Sequence, residues 1–169
     1  MKDLKQFIKT TIREFLNENI IIGVEYNVFH GTDFDFETFN TRRKISGYGY
    51  SMGAYFSSSE KEAKRYGKKV EEYVVKFSKL LDLTFIGEDD KNGKEKFLKY
   101  MNDELKIVFP NQKSMIYSNP YFGYTTLESL DKEHNLIPIL KRKGFDGLSF
   151  NEGSGITFVV FNNKSIVKK

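Results

Sequence analysis

Apolar residues recur along this chain with two different periods, and the changes between them divide it into elements. Leu4, Phe7, Ile8, Ile12, Phe15 and Leu16 fall at spacings of three and four. That spacing lays them on one helical stripe, with Lys2, Asp3, Lys5, Lys9, Arg13 and Glu14 interrupting it. An amphipathic helix over 1–19 is predicted, set apart from a domain over 20–169 by the polar Asn17-Glu18-Asn19. It either packs on that domain or presents itself to a protein partner or a membrane surface. Strand formers dominate from Ile20-Ile21-Ile22 through Val28 despite Gly23 and Glu25, so residues 20 to 30 read as a strand. Residues 33 to 52 form a polar, glycine-bearing loop with at most a short turn of helix, and a second strand covers 53–57. Ser57-Ser58-Ser59 then supplies hydroxyls to cap a helix that runs from 59 to 66 and stops at Gly67.

The pattern continues in shorter units. Val70, Tyr73, Val74, Val75 and Phe77 mark a strand over 69–77, with Leu80-Leu81-Asp82-Leu83 as an edge or turn. Helical spacing returns at Phe97, Leu98, Met101 and Leu105. Residues 110 to 126, with Asn119-Pro120 and Gly123, have no clean period and read as loop. The stretch 127–144 is helical in part, with Pro138 at a helix start or kink and Lys141-Arg142-Lys143 where cations suit the helix dipole. Strands at 145–150 and 156–161 flank Asn151 to Gly155, a glycine-containing turn that makes the pair a hairpin. Short strands separated by helices, ending in a hairpin, argue an α+β fold.

Composition narrows the chemistry. The 169 residues suit one domain, and 16 Phe and 10 Tyr without any Trp imply a core of phenyl rings, with tyrosines left for stacking. With no Cys, disulfides, thiolate metal sites and cysteine nucleophiles are excluded, and with only His30 and His134 a histidine-rich metal cluster is excluded too. The formal charge of +4 tolerates a phosphate-bearing ligand without announcing nucleic acid. No apolar run reaches bilayer length, and the N-terminal charges break any signal-like core, so a cytoplasmic location is expected.

The most informative residues are Phe29-His30-Gly31-Thr32, then Gly53-Ala54-Tyr55-Phe56-Ser57 with Ala63 and Tyr66 behind it, then Phe158-Val159-Val160-Phe161-Asn162. In order and spacing, residues 24 to 167 resemble ADP-ribosyltransferases of the diphtheria-toxin and poly(ADP-ribose)-polymerase type. The likeness is strongest to small, toxin-like bacterial and phage versions, including those embedded in polyvalent proteins. It implies a split pair of small antiparallel or mixed sheets with flanking helices, NAD as co-substrate without a metal, and ADP-ribose transfer with release of nicotinamide. The acceptor would be a macromolecule, protein or nucleic acid, in the cell or host cytoplasm, with NAD hydrolysis as a side reaction. By the same resemblance His30 would bind the nicotinamide ribose and the Gly31 backbone the carboxamide, with Thr32 beside it. Tyr55 would stack on the nicotinamide ring, Tyr66 would form a second wall, and Arg43 would meet the pyrophosphate. These roles are physically apt: imidazole offers a donor and an acceptor, and an aromatic face attracts a pyridinium.

Two positions depart from that family's pattern. Where it places a glutamate at the start of the last strand, this chain has Thr157; Glu152 on the hairpin is the nearest substitute. Where the polymerases carry a carboxamide-binding serine, this chain has Ala63, leaving Ser57 or Ser59 to cover the role. The loss of the glutamate points to single transfer rather than chain elongation, and leaves open a degenerate module that binds NAD or ADP-ribose without turnover, or a basic phage accessory protein. His30 and the tyrosines could equally be core residues, and Arg42-Arg43-Lys44 a solvated cluster. Glu128, Asp131 and Glu133 read as surface charges. Gly47 to Gly53 mimics a dinucleotide-binding glycine loop but does not join a strand to a helix, so a Rossmann reading fails.

Overall fold

A computed structural model describes residues 20–42, 44–45, 49–87, 90–107 and 122–169, the side chains of 44, 45, 49 and 50 excepted. The helix expected over 1–19, Arg43, Gly47 and Tyr48, and the loop over 110–121 lie outside the described residues. In chain order come β1 (Ile20–Thr32), β2 (Lys44–Ile45), β3 (Gly49–Tyr50), β4 (Ala54–Ser57), α1 (Glu60–Ala63) and β5 (Lys69–Asp82). Then follow α2 (Lys91–Asp103), α3 (Tyr124–His134), α4 (Leu136–Arg142), β6 (Gly147–Glu152), β7 (Gly155–Val160) and β8 (Ile166–Lys168).

β1 and β5 pair antiparallel along nearly their whole length, from Ile20 opposite Leu81 to Thr32 opposite Lys69. β8 extends this array on the other side of β5. A second antiparallel array is β4, β7 and β6. The expected split into separate sheets is replaced by one six-stranded mixed sheet, because the arrays touch at both ends. Phe29 faces Ser57 at the β1–β4 junction, and Leu80 to Asp82 run parallel to Gly147 to Ser149. With β1 paired to β5, five strands close into a barrel. Closure needs the long β5: Leu80 to Asp82, part of the Leu80-Leu81-Asp82-Leu83 stretch expected as an edge or turn, continue the strand and provide the β6 pairing.

Period-two alternation sorts the strand side chains between two cores. Val28, Ala54, Phe56, Tyr73, Val75, Phe77, Phe158 and Val160 form the barrel interior. Their neighbours Leu81, Leu148, Phe150, Val159 and Phe161 face outward onto Phe97, Met101, Leu127, Leu130, Ile137 and Leu140 of α2, α3 and α4. Gly147 is where Phe77 crosses the sheet, for a Cβ there would lie within 2.7 Å of two ring carbons. The α3–α4 break is an Asn135 with φ of 55°, and Pro138 sits in the first turn of α4, where its missing N–H is harmless.

Three local details differ from expectation, the first at the hairpin. Its turn is only Gly153-Ser154, not Asn151 to Gly155, because Gly153 takes a φ of 57° and lets pairing continue to Glu152 opposite Gly155. The loop over 33–52 carries a two-stranded ribbon, β2 against β3. α1 is shorter than expected, and Ser59 caps it by accepting from the Glu62 amide.

Candidate active site

Beyond Phe29 and Ser57, β1 and β4 diverge, and a cleft of about 350 Å³ opens beside that junction. Its lining brings together His30, Gly31, Tyr55, Ser57, Tyr66, Glu152 and Thr157, all singled out by the sequence. Phe29, Phe56, Ala63 and Tyr124 complete it. Thr32 does not line the cleft: its hydroxyl accepts from the Phe34 amide at 3.1 Å and closes a local turn, as this short side chain often does. The imidazole of one strand and the phenol of another therefore border the same cavity.

The His30 Nδ1 lies 2.8 Å from the Tyr55 carbonyl oxygen. A carbonyl only accepts, so Nδ1 carries the proton and the neutral ring presents Nε2 as an acceptor. Phe36, Phe39, Phe56 and Tyr73 surround the ring with centroids 4.9 to 6.4 Å away. Burial there lowers the His30 pKa below its ordinary value, against the opposing pull of the Tyr55 carbonyl and Glu71. The neutral imidazole is thus favoured at His30, with Nε2 as its acceptor.

Tyr55 packs against Tyr124, ring centroids 5.5 Å apart, and burial pushes its phenol pKa up, so it stays neutral. The Tyr124 hydroxyl donates to Glu128 at 2.8 Å. Tyr66 follows α1 and is exposed, and its hydroxyl donates to Glu152 Oε1 at 3.0 Å. Burial first, then the Glu152 carboxylate, raise the Tyr66 phenol to about 12.

The buried Thr157 hydroxyl donates to the other carboxylate oxygen of Glu152 at 2.6 Å. Each oxygen of Glu152 therefore receives one hydroxyl proton, one from β7 and one from the segment after α1. Such bonds to an ionised acceptor are short and directional, so the carboxylate is fixed within the cleft. The position predicted to lack an acid is supplied with one from the adjacent strand.

Several neighbours have roles the sequence did not reveal. Gly31 is glycine because a Cβ there would land on the Ala63 carbonyl oxygen: β1 packs directly on α1, so the constraint is internal. Ser57 lines the cleft and its hydroxyl accepts from the Ser59 amide at 3.1 Å, while the Ser59 hydroxyl accepts from the Glu62 amide as the α1 cap. Asp131, expected on the surface, is 4% exposed. It accepts from Arg42 and from the Ile137 amide at the start of α4, tying the loop over 33–42 to the helices. Arg42 is thereby committed to an ion pair of 2.7 Å. Only spatial proximity across 89 residues exposes that pair. Among the described residues no group of three or more acidic, histidine or cysteine side chains could hold a metal ion, and no helix is long and apolar enough to cross a membrane.

Of the comparisons with known proteins, the family model is the one that places the chain. None of the curated proteins matches the chain. A solved structure described as a crystal structure of an anti-CRISPR protein is similar at 12% identity and a TM-score of 0.45, over 86% of this chain and 96% of that one. The family model for the ADP-ribosyltransferase in polyvalent proteins matches residues 23–168. The match spans β1 to β8 and every described cleft residue, and by it the chain belongs to the ADP-ribosyltransferase family of polyvalent proteins.

Proposed function

We propose that this protein cleaves NAD and transfers a single ADP-ribose to a macromolecular acceptor, protein or nucleic acid, with Glu152 in place of the glutamate that the resembled family carries where this chain has Thr157. The observation that carries this reading is the Glu152 carboxylate, held by Tyr66 and Thr157 in the same cleft as His30 and Tyr55. The nicotinamide ring fits between the aromatic walls of Tyr55 and Tyr66, where a pyridinium is favoured by ring faces and by a nearby negative charge. The neutral Nε2 of His30 accepts from a ribose hydroxyl, and the Gly31 backbone at the cleft wall meets the carboxamide.

The bond from ribose C1′ to the ring nitrogen breaks with its electrons moving to nicotinamide, which leaves neutral. Positive charge develops on the ribose, and the ionised Glu152 stabilises it more in the transition state than in the bound substrate. An acceptor nucleophile then bonds to C1′ and gives up its proton; water in its place yields free ADP-ribose. The reading draws on diphtheria-toxin and polymerase-type relatives and on a phage or bacterial setting, with NAD bound as substrate and the segment over 1–19 offered to a protein partner. Incubating the protein with labelled NAD and host lysate tests it by nicotinamide release and by mass spectrometry of the labelled acceptor. NAD binding without release, in lysate and alone, replaces it with a binding module.

A further inference from the structure

Glu62 belongs to no part of the mechanism above, yet it is the most heavily bonded carboxylate near the cleft. It lies on the four-residue α1 and is only 7% exposed. Its Oε1 accepts from the Ser154 hydroxyl at 2.8 Å and from the Ser154 amide at 3.3 Å, and its Oε2 accepts from Arg65 at 2.8 Å. These bonds hold its pKa below the ordinary carboxylate value, Arg65 first and Ser154 next, so it stays charged. Gly153 completes the fit, because a Cβ there would sit 2.7 Å from Oε2. The turn that follows Glu152 is therefore clasped by α1.

Around this clasp the hairpin has further ties to the same segment. Ser58 and Ile156 exchange bonds of 2.9 Å: the Ser58 amide donates to the Ile156 carbonyl, and the Ile156 amide donates to the Ser58 hydroxyl oxygen. Tyr66, four residues after Glu62, reaches Glu152 itself. We infer that Glu62 is a positioning residue: by holding the Gly153-Ser154 turn on α1, it sets Glu152 at the distance from Tyr66 and Thr157 that the cleft requires. This inference rests on the transferase reading for its effect on rate, but not for its effect on structure.

Two variants separate the acceptor role from the charge. Glu62→Ala and Glu62→Gln lose the same charge, and only glutamine keeps an oxygen for Ser154. Ser154→Ala opens the clasp from the exposed side, with little risk to folding. With Glu62→Ala we expect nicotinamide release to fall at least tenfold in kcat with KM for NAD within about threefold, and Glu62→Gln to recover most of the loss; 1.4 kcal/mol corresponds to that tenfold change. Independently of turnover, Tyr66 is titrated by site-resolved NMR. Its phenol, raised to about 12 by burial first and by the Glu152 carboxylate next, should lose the Glu152 part of that rise in Glu62→Ala and Ser154→Ala but keep it in Glu62→Gln. An unmoved Tyr66 titration and unchanged amide exchange at Ser154 in Glu62→Ala overturn the inference. So does a glutamine variant that behaves like alanine in both readouts. If the parent itself releases no nicotinamide, the transferase reading fails while the Tyr66 titration still decides the role of Glu62.

Discussion

Replacing Glu152 by Gln separates the two candidate origins of the cleft's acidic function. The substitution keeps an oxygen to accept from Thr157 or Tyr66 and removes the negative charge alone. A cationic ribose carbon about 4 Å from a carboxylate gains about 4 kcal/mol at an effective dielectric near 20. Glu152 is half-buried, so solvent screens part of this and leaves about 2–4 kcal/mol. At about 1.36 kcal/mol per tenfold, kcat should fall about 30- to 1000-fold. KM for NAD should stay near the parent value, because Tyr55 and His30 are untouched. Thr157→Val removes only the 2.6 Å bond and leaves the carboxylate tethered by Tyr66. A single bond to a charged group is worth about 1.5–3 kcal/mol, which caps the loss at about 100-fold and places Thr157→Val below Glu152→Gln. The assay is steady-state nicotinamide release at saturating NAD, with thermal shift to confirm binding. A Glu152→Gln enzyme within about threefold of the parent, or a Thr157→Val enzyme more damaged than it, refutes the assignment.

Moving the acid to β7 in the double variant Glu152→Gln, Thr157→Glu should restore at least a tenth of the nicotinamide release lost by Glu152→Gln alone, read in the same assay. Gly31→Ala should destabilise the fold by about 3 kcal/mol or more in chemical denaturation, since overpacking against backbone leaves nothing flexible to yield at Ala63. The His30 pKa is lowered, so its neutral form is favoured in the folded chain and nothing is lost above the ordinary value of 6.5. As pH falls below 6.5 the unfolded chain takes up the proton first and fold stability declines, while the folded, unliganded His30 takes it up only as pH nears the lowered value. NAD affinity by calorimetry should therefore be flat from pH 8 to 6.5 and weaken only below it, with His30→Gln abolishing that weakening.

Legibility in the sequence followed the range of the interactions. β1, β4, the cap at Ser59 and the helix over 91–103 are local patterns of period and capping, and they stand close to where they were read. His30 and Tyr55 were legible because each sits in a short motif on its strand. Barrel closure was not, since it depends on residues 78–82 continuing as strand against a partner 67 residues away. Asp131 was misread for a similar reason: its helix periodicity looks exposed until Arg42 and the Ile137 amide arrive from elsewhere in the chain. Gly31 was flagged for its backbone at a ligand, and the sequence did not show that a Cβ there would also meet the backbone of Ala63. Glu62 gave no signal at all beyond its place in a capped helix.

The short turn is what brings a carboxylate on β6 beside Thr157 of β7. Glu152 stands opposite Gly155, and Thr157, two residues along, is its diagonal neighbour on the same face. Side chains so related have backbones about 7–8 Å apart, within reach of a long glutamate. With glycine opposite, no side chain stands in the way of the lean toward Thr157. A five-residue loop from 151 to 155 would have removed Glu152 from the ladder altogether, and a one-residue slip would have turned it to the opposite face. The left-handed Gly153 keeps the pairing intact to the last residue, and the Glu62 clasp holds that end of the hairpin against α1. On the proposed reading the acid function depends on hairpin register more than on which strand carries the glutamate, and the Thr157 hydroxyl is the donor that anchors the Glu152 carboxylate.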